Sequence, residues 1–214
     1  MSENEVEAVP SPGRSGLYVW IFAVQFFIMQ IVVARGWTTP FSLSANFISD
    51  LGNTACGGYP AGSSNYVCSP WHAWMNTSFI VLGLTIMIGT VLNRRYFGSS
   101  ALPRTALLLL AISGIGVLLV GLYPENTSIS AHTTGAGLNF VGGNLGIALL
   151  GVALARAHRR PGLAIYSMIS GLTGLAGTIL LVQGFYMGLG IGGMERIAAY
   201  PIPLWLIVAG LALS

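Results

Sequence analysis

The stretch SANFISDLGNTACGGYPAGSSNYVCSPWHAW, residues 44–74, lies between two long apolar runs. It contains one Asp, one His, two Cys and four Gly, in a chain of which only 7% of residues are charged. Polar side chains are therefore concentrated at a point where the chain interrupts its apolar pattern. This makes the stretch the first candidate for a functional loop, and the apolar runs beside it predict the fold.

Those runs predict an all-α membrane protein. The chain is 54% hydrophobic with a mean hydropathy of +0.74, whereas a soluble domain has about 25% charged residues. A membrane-spanning helix needs about 20 mainly apolar residues. Six runs of about this length are present, at roughly 17–35, 71–92, 104–123, 133–156, 162–188 and 197–214. The sequence therefore predicts a bundle of six transmembrane helices with an outer loop at 36–70.

The arginines predict how the bundle is oriented. All nine basic residues are Arg, and the net charge is +3. Six of them lie between spans 2 and 3 or between spans 4 and 5: Arg94, Arg95, Arg104, Arg156, Arg159 and Arg160. Positively charged short loops face the cytoplasm, so both termini are predicted to be cytoplasmic and the protein to lie in the cell membrane. This distribution favours membrane lipids as partners, with no nucleic acid.

The N-terminal residues 1–16, MSENEVEAVPSPGRSG, are polar and contain three Glu and two Pro. Such a composition predicts a disordered cytoplasmic tail. The apolar run after it is longer than a signal-peptide core of about 7–15 residues. We therefore interpret residues 17–35 as a retained first span.

Cys56 and Cys68 both fall in the predicted outer loop. An oxidising compartment and a short, Gly-rich connection favour a disulfide between them. A metal site would need further Cys or His ligands close by. The disulfide would hold the ISDLGN segment near SPWHAW.

Most of the remaining polar groups fall where helices reach the outer side. Residues 38–53 are predicted to form a short interfacial helix that ends near Asp50, while His72 and Asn76 lie on one face of span 2. His132 begins span 4, and Glu195 and Arg196 precede span 6. Each has an ordinary structural explanation, such as a helix cap or a surface ion pair. Ionisable groups near lipid tend, however, to face a bundle interior or a cavity, so together they predict an outward-facing polar pocket.

Glycines predict close helix packing. Gly142 and Gly146 form a GxxxG pair, and Gly171, Gly174 and Gly177 recur at every third residue. Small residues let helix backbones approach in lipid. We interpret them as packing contacts within the chain in preference to a dimer interface; the oligomeric state is not predicted.

Several motifs resemble the family called domain of unknown function 998. They are ISDLGNTACG, VCSPWHAWMNTSF, GLYPENTSISAHTTGAGLNFVGGNLG and GGMER, in that order along residues 17–214. The resemblance implies a six-span bundle and maps the family pattern onto Asp50, His72, Asn76, Pro124, His132, Glu195 and Arg196. It implies no activity.

The first functional hypothesis is a membrane-embedded hydrolase for a lipid or lipid-linked substrate. Asp50, His72 and His132 are its candidate catalytic residues and possible zinc ligands, because two imidazoles and a carboxylate form a three-ligand set with one open position. Arg196, with Asn76 and Glu195, would bind the substrate's head group. The set is faintly similar to the intramembrane hydrolases related to alkaline ceramidase. Those use three His, an Asp and a Ser, and here a third His is missing on the outer side.

Three other hypotheses remain open at this stage. A non-catalytic lipid-binding protein or transporter could use the amides at membrane depth, which are Gln25, Gln30, Asn139, Asn144 and Gln183. Hydrogen bonds between helices would explain these amides equally well. A haem-binding electron carrier could use His72 and His132 as axial ligands. A structural partner protein would need no site at all.

Overall fold

The computed structural model describes residues 14–59 and 65–214, which are mostly helical. Its α-helices are Arg14–Ile21 (α1), Val24–Arg35 (α2), His72–Phe97 (α3), Ala101–Leu122 (α4), Ile129–Gly137 (α5), Asn144–Arg156 (α6), Pro161–Val182 (α7), Gly190–Ala199 (α8) and Pro201–Leu213 (α9). A 3-10 turn at Ser49–Gly52 precedes two short antiparallel strands, Gly57–Gly58 (β1) and Tyr66–Val67 (β2). A π-helical turn, Leu138–Gly143, joins α5 to α6.

Six helical segments are long and apolar enough to cross a membrane, which confirms the six-span prediction. Three of these segments are composite, since they consist of α1 with α2, of α5 and α6 with the π-turn, and of α8 with α9. The first segment begins at Arg14. Residues 1–13 carry most of the predicted tail and lie outside the described residues.

The fifth span ends earlier than the sequence predicts, at Val182 instead of residue 188. Gly184 has φ +70° and donates its N–H to the carbonyl of Leu181, while Phe185 donates to Leu180. This is the Schellman pattern that ends helices at a left-handed glycine. The sixth span consequently begins at Gly190, before Glu195 and Arg196, and carries both residues on α8.

Glycines bring the helices close together. A Cβ placed on Gly116 would lie 2.4 Å from the carbonyl oxygen of Gly135, and one on Gly135 would lie 2.5 Å from that of Gly116. The glycines identified in the sequence are equally close to a neighbouring helix. A Cβ on Gly146 would contact the backbone of α4, and a Cβ on Gly171 would contact that of α6. The glycine pattern therefore serves packing within the chain, as predicted.

Polar side chains at membrane depth form hydrogen bonds between segments. Ser78 donates to Gln25 at 2.7 Å, Tyr200 to Gln30 at 2.8 Å, and Ser113 to Asn139 at 2.8 Å. The amide of Asn144 donates to the carbonyl of Ala198 at 2.8 Å. Bonds of this kind contribute about 0.6 kcal/mol each in a membrane protein, so these amides have a packing role.

The described parts of the loop after α2, residues 36–59 and 65–71, cover one end of the bundle, which we call the loop end. The opposite end, where Arg94, Arg95, Arg104, Arg156 and Arg159 lie, is the arginine end. Cys56 and Cys68 form the predicted disulfide.

The prediction of an interfacial helix over residues 38–53 is wrong, except that residues 49–52 form a 3-10 turn. Side chains there bond to the backbone instead, because Asn46 accepts the N–H of Ser42 and the Ser42 hydroxyl accepts the N–H of Ala45. Such local bonds compete with helix formation.

Replacement of Gly135 by Ala should destabilise the bundle, because the added methyl group would meet the α4 backbone, which has no rotamer to change. We expect a loss of about 1–3 kcal/mol in the free energy of unfolding. Gly137→Ala is the matched control in the same helix, since a Cβ at Gly137 meets nothing within 4 Å. Thermal unfolding in detergent should give a lower midpoint for Gly135→Ala only; equal midpoints would contradict the close contact.

Candidate functional site

Three carboxyl groups and one guanidinium group are buried at the loop end. Asp50 is fully buried, and Glu125, Glu195 and Arg196 are 6–7% exposed. They come from three distant parts of the chain: the 3-10 turn, the turn between α4 and α5, and helix α8. We call Asp50, Glu125 and Glu195 the carboxyl cluster. Charged groups are rarely buried in this way unless they are paired or hydrogen-bonded.

Asp50 is held within its own turn. Its Oδ2 accepts the backbone N–H of Phe47 at 2.9 Å and the amide of Asn46 at 3.2 Å. Its Oδ1 is buried and has no hydrogen-bond partner among the described residues. Burial raises the pKa of the Asp50 carboxyl above its ordinary value, although the interactions with Glu125 and Asn46 oppose the rise.

Glu125 connects the α4–α5 turn to the same loop. Its Oε2 accepts the hydroxyl of Ser49 at 2.9 Å, and its Oε1 accepts the amide of Asn53 at 3.4 Å. Burial, together with the neighbouring Asp50 carboxyl, raises the pKa of Glu125 to about 9. Two adjacent carboxyl groups cannot both ionise easily. With its pKa raised to about 9, the Glu125 carboxyl holds its proton at neutral pH.

Glu195 and Arg196 fasten the loop to α8. The backbone N–H of Ile48 donates to Oε2 of Glu195. Arg196 Nη1 donates to the carbonyls of Leu43, Asn46 and Gly192 at 2.8–2.9 Å. A Cβ at Gly192 would lie 2.1 Å from the Asn46 carbonyl oxygen, so the glycines before Glu195 are needed for this approach.

Arg196 also retains unused donors. Its Nε and Nη2 are buried and have no hydrogen-bond partner among the described residues. An arginine can present adjacent N–H groups to a carboxylate or phosphate as a fork. A buried donor without a partner costs about 1–3 kcal/mol, so an oxyanion or water is expected at this position.

A cavity of about 40 Å³ lies among the helices next to this cluster. Its polar lining consists of Ser49, His132, Asn139 and Glu195, and the rest is aliphatic or aromatic, including Phe26 and Phe79. A water molecule needs roughly 10–15 Å³ by this measure, so the cavity accommodates a few waters. We call it the loop-end cavity.

His132 faces this cavity with a defined ring orientation. Its Nδ1 lies 3.0 Å from the carbonyl oxygen of Tyr123. Because a carbonyl only accepts hydrogen bonds, Nδ1 carries the hydrogen of the neutral ring, and Nε2 is then the basic nitrogen. The ring is buried. His132 lies near the start of the only span in the described chain that contains a π-helical turn. Such turns occur frequently at functional sites.

The predicted site is only partly assembled. Asp50, Glu195 and Arg196 lie together, and His132 shares the cavity with Glu195. His72 does not line the cavity; its Nδ1 lies 2.9 Å from the carbonyl oxygen of Ser69 at the start of α3. Asn76 donates to the carbonyl of Gly52 at 2.9 Å and positions the loop.

The predicted zinc ligand set is not formed. Among residues 14–59 and 65–214, no group of three or more His, Cys, Asp and Glu side chains is arranged to hold a metal ion. The reason is that Asp50 turns towards Glu125 and Asn46, whereas the two histidines bond to carbonyls of separate turns.

The sequence analysis missed Ser49, Asn53 and Glu125 as members of the site. Ser49 and Asn53 flank Asp50 in the ISDLGN motif, and Glu125 follows Pro124 in the LYPEN motif. The signal for all three was their position in two polar motifs of an otherwise apolar chain.

Comparison with known proteins gives a family and no closer relative. A family model described as "Protein of unknown function (DUF998)" matches residues 21–212. No curated protein and no solved structure matches the chain.

The carboxyl cluster predicts a specific pH dependence. The pKa of Glu125 is about 9 in the folded protein, against an ordinary value of 4.5. Between these values the unfolded chain has released the proton and the folded chain still holds it, so the free energy of unfolding should fall as pH rises. Glu125→Gln keeps an acceptor for Ser49 but does not ionise, and should therefore remove much of this decline.

Thermal unfolding of the wild type and of Glu125→Gln from pH 4.5 to pH 9 tests this prediction. The variant should gain stability relative to the wild type as pH rises, and one pKa unit corresponds to about 1.4 kcal/mol. Parallel curves over the whole range would show that Glu125 ionises normally in the fold.

Proposed function

Since the chain belongs to the DUF998 family, whose description names no reaction, we propose its activity from the loop-end cavity: it is a membrane-embedded hydrolase for a lipid or lipid-linked substrate. The observation that carries this proposal is the presence of His132 and Glu195 on one buried, water-sized cavity. A base, a carboxyl group and space for a nucleophile are the minimum that hydrolysis requires.

His132 is the proposed general base. With Nδ1 bonded to the Tyr123 carbonyl, Nε2 accepts a proton from a water molecule in the cavity. The water oxygen forms a bond to the electrophilic carbon or phosphorus of the substrate, and the bond to the leaving-group oxygen breaks. The imidazolium then returns its proton to the leaving group, so the ring ends in its starting form. Glu195 shares the cavity and orients the water as an acceptor.

Arg196 is the proposed anchor for an anionic group of the substrate. Its Nε and Nη2 are two buried donors that find no partner in residues 14–59 and 65–214, and a phosphate or carboxylate accepts such a pair in bidentate fashion. The remaining nitrogen, Nη1, is held by three carbonyls of the loop and α8. The guanidinium is therefore held in place before substrate binds, which lowers the entropic cost of binding.

A lipid substrate needs an opening, because a cavity of about 40 Å³ holds only water. The wall supplied by the fourth span is the proposed point of access. Ala136, Asn139 and Phe140 line the cavity and are partly exposed. Asn139 and Phe140 belong to the π-helical turn, whose hydrogen bonding is less regular than that of an α-helix.

A proton-coupled lipid carrier is the second candidate. It is favoured by the pair of Asp50 and Glu125, where burial raises both pKa values and the Asp50 carboxyl raises that of Glu125 further. A carrier could bind and release a proton there while it moves a lipid. It would need neither a basic imidazole nor a nucleophilic water, and this difference separates the two candidates.

Replacement of His132 by Gln should abolish hydrolysis, since Gln can still donate to the Tyr123 carbonyl but cannot take a proton. We propose to incubate the protein in liposomes of phosphatidylethanolamine and phosphatidylglycerol and to measure free fatty acids, lysolipids and released head groups by mass spectrometry. The loss in His132→Gln should be about 100-fold or more, the usual contribution of a general base.

His72→Gln is the matched control, because His72 makes the same kind of bond to a carbonyl outside the cavity. It should retain activity within about threefold, well below the contribution of a general base. Equal activity of wild type and His132→Gln, or no products above empty liposomes, would overturn the hydrolase. Movement of labelled lipid between leaflets, unaffected by His132→Gln and lost in Glu125→Ala, would support the carrier in its place.

A further inference from the structure

A large groove opens at the arginine end of the bundle, opposite the loop-end cavity. Its volume is about 1110 Å³. Five arginines line it, namely Arg94, Arg95, Arg104, Arg156 and Arg159. They come from the end of α3, the start of α4, the end of α6 and the turn after it. We call it the arginine groove.

We propose that the arginine groove binds an anionic glycerophospholipid, with the lipid phosphate among the arginines and an acyl chain against the aliphatic wall. This inference does not depend on the proposed hydrolase activity, since it concerns a different end of the molecule and different residues.

The positive charge of the groove is not balanced within the described chain. The acidic residues that the structure describes are Asp50, Glu125 and Glu195, and all three lie at the loop end. The side chains of Arg95, Arg104 and Arg156 make no hydrogen bond or ion pair with the described residues. Like charges gathered in this way attract a counter-ion of opposite charge.

Arg159 is held in position in the groove. Its Nη1 donates to the carbonyl of Tyr96 at 2.7 Å, and its guanidinium lies 4.1 Å from the centre of the Tyr96 ring. These two contacts fix the side chain while leaving its other nitrogens free to donate. A positioned arginine of this kind suits a phosphate, which accepts several N–H donors at once.

A further donor in the wall has no partner. Thr90 lines the groove and is 3% exposed, and its hydroxyl has no hydrogen-bond partner among the described residues. A buried threonine hydroxyl in a helix ordinarily bonds to a carbonyl one turn earlier. Its unused hydroxyl therefore indicates a polar ligand atom, such as a phosphate or glycerol oxygen.

The rest of the lining distinguishes a lipid from free phosphate. Val91, Leu107, Leu108 and Ala111 continue the groove away from the arginines. Ala111 follows Arg104 by seven residues on α4, about 10 Å along the helix at 1.5 Å per residue. A lipid with an anionic head group and an apolar acyl chain matches a groove that is basic at one end and aliphatic further along. Basic pockets between transmembrane helices bind such head groups in general.

Native mass spectrometry of the full-length protein, exchanged from phosphatidylcholine nanodiscs with added phosphatidylglycerol, tests the proposal. The wild type should retain phosphatidylglycerol at least tenfold more than phosphatidylcholine. The double variant Arg104→Gln/Arg156→Gln should lose this preference. The double variant Arg14→Gln/Arg160→Gln removes two charges from the same end outside the groove, and should keep the preference within threefold.

Each alternative occupant has its own outcome. Equal loss of the phosphatidylglycerol preference in both double variants would overturn the proposed site, because general surface charge would then explain the binding. Displacement of the lipid by glycerol 3-phosphate at equal concentration would show a site for free phosphate. Retention of phosphatidylglycerol only after deletion of residues 2–13, which contain three Glu, would show that this segment occupies the groove. Thermal midpoints of both double variants should match the wild type, and a lowered midpoint in Arg104→Gln/Arg156→Gln would assign the arginines to folding.

Discussion

Carboxyl groups removed from water must be neutralised or hydrogen-bonded, and this constraint shapes the loop end of the molecule. The loop supplies nearly all the donors that the carboxyl cluster uses, from Ser49, Asn53 and the backbone of Phe47 and Ile48. In return, Arg196 is held by carbonyls of the same loop. Neither the loop nor the cluster would keep its geometry without the other. The unused edge of Arg196 is what this arrangement leaves available for binding an anion.

The helices achieve this burial through small residues and a few polar bonds. Glycines have no side chain and so allow α4 to approach α5 closely, and α8 to approach the loop. The bonds of Gln25, Gln30 and Asn144 connect helices that are distant in sequence. Since lipid gives no hydrophobic drive to helix association, these contacts and van der Waals packing hold the bundle.

Much of the fold could be predicted from the sequence, because each span is a continuous apolar run whose length alone is diagnostic. The disulfide could be predicted equally well, since the sequence contains two cysteines and both lie in the loop. The end of span 5 could not be located so well, because apolar residues continue past Gly184 as Phe185, Tyr186 and Met187, and only the backbone conformation ends the helix. The 3-10 turn replaced a predicted helix because Ser42 and Asn46 bond locally to the backbone.

The sequence predicts where along the chain the site residues lie, but not which of them come together in space. Asp50, His132, Glu195 and Arg196 were all identified by their position at helix ends. Which of them converge depends on rotation of each helix about its axis, which hydropathy does not determine. His72 and His132 appeared equivalent in the sequence, yet only His132 faces the cavity. Glu125 was overlooked because an acid in a turn ordinarily faces water.

The contact between the first and last helices has a consequence for biosynthesis. Trp20 of α1 and Trp205 of α9 are both fully buried, with ring centres 5.3 Å apart, and Trp205 donates to Ser167 of α7 at 2.7 Å. Helix α1 therefore completes its packing only against a helix that the ribosome makes more than 170 residues later. Until α9 has been synthesised, only lipid or insertion machinery can cover the Trp20 face that Trp205 buries.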